Sequence, residues 1–147
     1  MKRLMQRKTA LIFIYVLMVL WSCAQTREVA ANDMNCPDSP NCVSSQASDP
    51  EYFVEPLKFS DDPSMAISRL KQSLLKEKRV TIVDEQADYL HAEIRSLIFR
   101  FVDDVEFRFS PEQKLIHLRS ASRVGYSDFG VNRRRINRIR EDFQQSN

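Results

Sequence analysis

Two segments of the chain have hydrophobic residues at the spacing of an amphipathic helix. In residues 60–78 the apolar positions recur three and four apart, at Ala66, Ile67, Leu70 and Leu74. Asp62 can cap this helix, and Pro63 suits its first turn, where a missing N–H costs nothing. In residues 130–143 the core-facing positions are Val131, Ile136, Ile139 and Phe143. The pattern therefore predicts two helices.

Between these helices, apolar and polar residues alternate as they do in half-buried strands. The predicted strands cover residues 79–85, 88–96, 97–110 and 115–123. The alternation of the third strand is interrupted at Asp103–Asp104, which predicts a bulge or a bend there.

The connections between these strands are short, which favours antiparallel neighbours. One strand face is polar, so helices are expected to cover only the other face. We therefore predict an α+β fold in two layers. It consists of a four-stranded antiparallel meander sheet with an N-terminal and a C-terminal helix on one face.

The first 22 residues have a different character, with a basic start and an apolar run over residues 10–21. This run is too short for a comfortable transmembrane helix and has the length found in export signals. The following Ser22 and Cys23 resemble the end of a bacterial lipoprotein signal, in which the cysteine is lipidated after cleavage. An uncleaved signal anchor and a plain secretory signal are the alternatives.

We therefore expect a lipoprotein signal peptide over residues 1–22, a tether over 23–35 and one domain over 36–147. Lipid on Cys23 would hold the domain on the periplasmic side of a bacterial envelope membrane. Ala24 follows the cysteine in place of the aspartate typical of inner-membrane retention, which slightly favours the outer membrane.

Removal of the signal changes the charge of the chain. The whole sequence has 22 basic and 20 acidic residues, but four of the basic ones lie in the signal. The remaining chain is slightly acidic, so its arginines do not indicate a nucleic-acid partner.

Two cysteines remain after lipidation, Cys36 and Cys42, in the segment CPDSPNC. In an oxidising compartment they are expected to form a disulfide. The closed loop is small and stabilises the fold by about 2 kcal/mol at most. A metal pair or a redox dithiol is the alternative, although no histidine lies nearby and redox pairs favour a two-residue spacing.

Both glycines of the chain, Gly125 and Gly130, lie in its most arginine-rich segment, residues 119–140. They bracket the connection from the last strand to the last helix, where positive φ angles are often required. Asp128 or Asn132 can bond nearby backbone N–H groups and start the helix.

The arginines of this segment have two interpretations. In the first, they pair across strands with Asp103, Asp104 and Glu106 in a structural salt-bridge network. In the second, they form a pocket for a carboxylate, a phosphate or a lipid headgroup. The residues assigned to this pocket are Arg119, Ser120, Ser122, Arg123, Asp128, Asn132 and Arg133.

Enzymatic function has weaker support, because neither a phosphate-binding glycine loop nor a metalloprotease or esterase motif is present in the sequence. The alternative is an envelope hydrolase or metal-dependent enzyme using Asp103, Asp104, His117 and Arg123. His91 and His117 can share a sheet face, but exposed strand histidines are usually surface residues. We expect no cofactor and no metal. A structural role in an envelope assembly, with a protein partner, is a third interpretation.

Three segments of the sequence resemble one known family. They are CPDSPNCVSSQ, FVDDVEFRF and RSASRVGYSDFGVNRRRINRIR, and they occur in the family's order. The chain is similar over residues 36–143 to the bacterial and chloroplast family catalogued as domain of unknown function 1499. The resemblance implies one domain over this range, and it implies no particular chemistry.

Overall fold

The computed structural model describes residues 34–146 of the chain. The expected signal, residues 1–22, and the expected lipidation site, Cys23, lie outside the described residues. Among the described residues, no helix has the length and apolarity to cross a membrane. Met34 is buried and the carbonyl of Asn35 accepts a hydrogen bond from Arg119, so the end of the predicted tether contacts the domain.

Both predicted helices are present. Helix α1 spans Pro63–Leu75, and the carboxylate of Asp62 accepts a hydrogen bond from the N–H of Ser64 at 2.9 Å, as the sequence predicted. Helix α2 spans Val131–Gln145 and follows Gly130, which has a φ of +75°. Val131 was expected to face the core, but it is the first residue of α2 and is 39% exposed.

The sheet has six strands in the described residues, and the prediction of four was wrong. In chain order they are β1 (Cys42–Ser44), β2 (Leu57–Lys58), β3 (Val80–Glu85), β4 (Tyr89–Arg95), β5 (Val102–Ser110) and β6 (Leu115–Ser122). The four longer strands are those predicted, and neighbouring strands are antiparallel. Strands β1 and β2 both pair with β6, at opposite ends of it. They were missed because two or three residues are too few to show an alternating pattern.

Strand β5 is regular, and the bulge predicted at Asp103–Asp104 does not occur. The pairing of β5 with β4 and β6 is continuous through both aspartates. Asp103 occupies an inward position that an apolar residue normally takes. An aspartate at this position interrupted the alternation of apolar and polar residues in the sequence. The irregularity of the sheet lies instead in β3, between Ile82 and Asp84.

The two faces of the sheet have different chemistry. One hydrophobic cluster contains the inward side chains of β4, β5 and β6 together with apolar side chains of both helices. Its largest fully buried members are Phe107 and Phe143, one from the sheet and one from α2. The other face bears Tyr89, His91 and Glu93 on β4 and polar partners on β5. Within the described residues, the helices therefore pack on one face of the sheet, and the polar face is called the open face.

Candidate functional site

Asp104 and Arg123 form the centre of an ion-pair network on the open face of the sheet. Arg123 donates two hydrogen bonds to Asp104, at 2.8 and 2.7 Å, and a third to Glu93 at 2.6 Å. His91 Nε2 lies 2.7 Å from the same aspartate. Burial alone would raise the pKa of Asp104, but the hydrogen bonds and charges of Arg123 and His91 lower it. The pKa of Arg123 is raised by its hydrogen bonds to the two carboxylates.

Glu106 forms a second centre on the same face. Arg119 Nη1 lies 2.8 Å from one of its oxygens, and the Tyr89 hydroxyl donates to the other at 2.7 Å. Burial and this hydrogen bond raise the pKa of Tyr89, which therefore stays protonated. Arg119 and Arg123 thus have carboxylate partners on the neighbouring strand, as the salt-bridge interpretation predicted.

On the other face of β5, Asp103 belongs to a buried network. Its carboxylate lies 2.5 Å from Nη2 of Arg135, and both residues are buried. Arg135 Nη1 also donates to Asn132 Oδ1 and to Ser120 Oγ, and Ser120 donates to the same Asn132 oxygen. The Nε of Arg135 has no hydrogen-bond partner in the described residues. This network joins β5, β6 and α2.

The amide of Asn132 extends this network to the start of β1. It donates to the carbonyl of Asn41 at 2.9 Å, and the Asn41 amide in turn donates to the carbonyl of Gly125. Asp128 accepts hydrogen bonds from the N–H groups of Gly130 and Asn132, at 2.8 and 2.7 Å. The corner between β6 and α2 is therefore held by side chains from both of its ends and by Asn41, the residue before β1.

The predicted disulfide is confirmed. Cys36 and Cys42 are bonded, with their Cα atoms 5.6 Å apart. Cys42 begins β1 and pairs with Ala121 of β6, so the disulfide closes the loop that presents Asn41 to the corner. This loop and the corner are therefore one structural unit, although they are far apart in the sequence.

The structure does not bring the seven residues proposed for an anion pocket into one cavity. Arg119 and Arg123 lie on the open face, whereas Ser120, Ser122 and Asn132 belong to the network beneath the helices. Arg133 donates to the carbonyls of Phe53 and Glu51 on the side of β1. Asp128 caps α2.

Of the four residues named for a hydrolase or metal site, Asp104 and Arg123 are bonded, whereas Asp103 and His117 lie apart from them. Asp103 and Asp104 point to opposite faces of the sheet, so their carboxylates cannot act on one substrate atom. His117 lies beside Ser45, at 3.3 Å between Nδ1 and Oγ. Among the described residues, no three histidine, cysteine or acidic side chains are grouped to hold a metal ion.

A cleft of about 570 Å³ lies between the two helices and the end of the sheet where β4 stops and β5 starts. Three carboxylates line it, those of Glu77, Asp103 and Asp142. Twice as many cationic side chains line it: Lys76, Lys78, Arg79, Arg95, Arg135 and Arg138. Ile94, Leu97 and Val131 add apolar surface. The cleft is therefore basic, with an apolar side.

Some of these cations are neutralised and others are not. Lys76 pairs with Asp142 at 2.8 Å, and Arg138 pairs with Glu77 at 2.9 Å. The pKa of Arg138 is raised, mainly by its hydrogen bond to Glu77. Within the part of the chain that the structure describes, Lys78 and Arg79 form no salt bridge. These two side chains therefore keep the excess positive charge of the cleft.

Sequence reasoning missed the residues that matter most here, above all Arg135 and Lys78. The burial of Arg135 could have been predicted from its spacing in the sequence. It lies on the buried stripe of α2, whose members are three or four residues apart: Asn132, Arg135, Ile139 and Phe143. A charged residue on an apolar stripe indicates a buried partner. Lys78 had no such signal, because the cleft is formed by segments distant in the sequence.

The fold and the polar network define the class of this protein: a small α+β domain whose strand-to-helix corner is held by a disulfide-closed loop. The model of the family described as "Protein of unknown function (DUF1499)" matches residues 34–143, most of the chain, and the chain belongs to this family. A comparison with curated proteins found no match. A comparison with solved structures likewise found none.

Proposed function

We propose that this protein binds a small anionic ligand in the basic cleft between its helices and the end of the sheet. The observation that carries the proposal is the composition of that cleft, in which six cations face three carboxylates. The volume of about 570 Å³ is within the range of small-molecule sites. A phosphate or a carboxylate group is the chemistry that such a site recognises.

Arg135 supports the same proposal. Arg135 lines the cleft, and its Nε is a buried donor without a partner in the described residues. The charge of Arg135 adds to the positive potential at the wall of the cleft, which favours an anion there. Lys78 and Arg79 would supply charge at the entrance without first breaking a salt bridge. The apolar surface of Ile94, Leu97 and Val131 suits a ligand that joins an anionic group to an apolar part.

The cellular setting is part of the proposal. The resemblance of the first 23 residues to a lipoprotein signal supports anchoring through lipid on Cys23 at a bacterial envelope membrane. The Cys36–Cys42 disulfide is consistent with an oxidising compartment on the periplasmic side. In a Cys23→Ser variant, the acyl groups should be missing from the mass of the chain extracted from its membranes. A variant that keeps the acylated mass contradicts the anchoring.

Calorimetric titration of the purified full chain with inorganic phosphate and with glycerol 1-phosphate tests the cleft. Lys78→Gln should weaken binding roughly fivefold, because it removes an attraction of about 1 kcal/mol at a solvent-accessible site. Lys58→Gln is the matched control, an exposed lysine on β2 that does not line the cleft. Tighter binding of glycerol 1-phosphate would indicate a lipid headgroup, and equal binding a free anion. Binding that is equal in the two variants refutes the cleft as the site.

A further inference from the structure

The connection between β4 and β5 exposes an unusual run of apolar side chains. Leu97, Ile98 and Phe99 are consecutive, and Ile98 and Phe99 are 78% and 74% exposed. Phe101 is exposed as well, and its ring stacks on Phe99 with centroids 5.4 Å apart. None of these four side chains contributes to the hydrophobic core. The sequence pattern predicted a strand here, but the segment is a loop that projects from the end of the sheet.

The backbone holds this loop in place. The N–H of Ser96 donates to the carbonyl of Phe101 at 2.9 Å, and the N–H of Phe101 donates to the Ser96 hydroxyl at 2.8 Å. Arg100, between the two phenylalanines, has a φ of +54°, which non-glycine residues rarely adopt. The apolar tip is therefore a defined turn, with its side chains directed away from the core.

A second apolar loop lies at the same end of the sheet. Strand β6 ends beside the start of β5, where the N–H of Arg123 donates to the carbonyl of Val102 at 3.0 Å. The loop that follows exposes Val124, Tyr126 and Phe129, and Phe129 is 88% exposed. Tyrosine is enriched at the boundary between water and lipid, and phenylalanine occurs on the apolar faces of helices that lie there. The two loops together form an apolar end of the domain.

The first of these loops is basic. Arg100 lies within it, and residues 96–102 contain no acidic residue. The second loop starts at Arg123, which is paired with Glu93 and Asp104, and it contains Asp128. Lys78 and Arg79 lie at the same end, just before Val80, which pairs with Ile94 of β4. Apolar tips flanked by cations are the composition of proteins that lie on anionic membranes.

We propose that this end of the domain docks on an anionic lipid bilayer, with the tip at Ile98 and Phe99 entering the interfacial region. The surrounding cations would face lipid phosphates. The surface borders the anion cleft and shares Leu97, Lys78 and Arg79 with it, but the tip residues Ile98 and Phe99 do not line the cleft. The inference therefore goes beyond the proposed ligand binding, and one can fail without the other.

Tryptophan quenching in the full chain tests this docking. The chain has a single tryptophan, Trp21, so Trp21→Phe gives a background in which an introduced tryptophan is the only one. Phe99→Trp places the probe at the tip. Met65→Trp is the matched control, because Met65 is an exposed apolar residue near the start of α1, at the opposite end of the domain. Each variant is reconstituted into vesicles of brominated phosphatidylcholine, with and without phosphatidylglycerol.

In vesicles that contain phosphatidylglycerol, the Phe99→Trp variant should lose most of its emission to the lipid bromines, while the Met65→Trp variant keeps its emission. The two variants differ only in the position of the probe, so this difference reports docking and not mere proximity. Equal emission from the two variants overturns the proposal. Equal quenching of the tip with and without phosphatidylglycerol overturns its preference for anionic lipid. Both positions are exposed, and unchanged far-ultraviolet circular dichroism verifies that each variant is folded.

Discussion

The ion pair of Asp103 and Arg135 leads to the sharpest prediction about the stability of this fold. Both side chains are buried, with a nitrogen–oxygen distance of 2.5 Å. The variant Arg135→Met retains much of the side-chain volume but leaves the carboxylate of Asp103 without its cation. It also removes a donor to Asn132 and to Ser120. We expect this variant to be severely destabilised.

The size of this destabilisation follows from the burial of the ion pair. Removing one partner of a buried ion pair typically costs about 3–5 kcal/mol, because an uncompensated charge remains in the interior. For a domain of this size that cost lowers the melting temperature by about 10–20 °C. Thermal unfolding of the full chain, followed by circular dichroism, measures the shift. The double variant Asp103→Leu/Arg135→Met should recover most of the loss, since it leaves no unpaired charge.

Arg138→Met is the control for this experiment. It lies three residues further along the same helix, and its salt bridge with Glu77 is more exposed. Exposed pairs contribute about 0–1 kcal/mol, so the control should melt within a few degrees of the unmodified chain. If Arg135→Met melts no lower than Arg138→Met, the buried pair does not hold α2 to β5 and the reasoning is wrong.

Three further predictions concern the corner, the open face and the disulfide. Gly130→Ala should lower the free energy of unfolding by about 1–2 kcal/mol, because Gly130 has a φ of +75°. Denaturant titration measures this free energy, and an unchanged free energy of unfolding argues against the positive φ. Because its pKa is lowered in the folded protein, ionised Asp104 stabilises the fold at pH values above the ordinary aspartate pKa. This stabilisation is lost as the pH falls through the folded-state pKa of Asp104. Arg123→Gln should therefore raise the pKa of Asp104 in a carboxyl NMR titration, and an unshifted titration contradicts the ion pair. Cys42→Ser should cost about 2 kcal/mol, and a larger loss would mean that the Cys36 loop is needed to position the corner.

The parts of the fold that the sequence predicted are those with local signals. Helix α1 was recognisable from Asp62, Pro63 and an apolar stripe, and β4 from strict alternation. The segment 97–101 has Phe99 and Phe101 two positions apart, and it was mistaken for strand. Its apolar side chains point into solvent, and no pattern within the sequence distinguishes an apolar side chain that is buried from one that is exposed.

The candidate site was harder to predict because it depends on tertiary contacts. The salt bridges of Arg119 and Arg123 could be anticipated, since each lies on a strand next to its carboxylate. The pairing of Arg135 with Asp103 could not be anticipated from the sequence, because it depends on how α2 lies across the sheet. The basic cleft combines the end of α1, the end of β4 and one side of α2, which meet only after folding.

The two edges of the sheet have a consequence for how copies of the domain behave when crowded. Strand β6 is covered by the short strands β1 and β2, and between them Ser45 bonds both the N–H and the carbonyl of Leu118. At the other edge, β3 is irregular between Ile82 and Asp84. Neither edge offers a long, flat row of unpaired backbone groups to another sheet. Aggregation by strand addition is thereby opposed, and concentrated solutions of the folded domain should not assemble into extended β-structure.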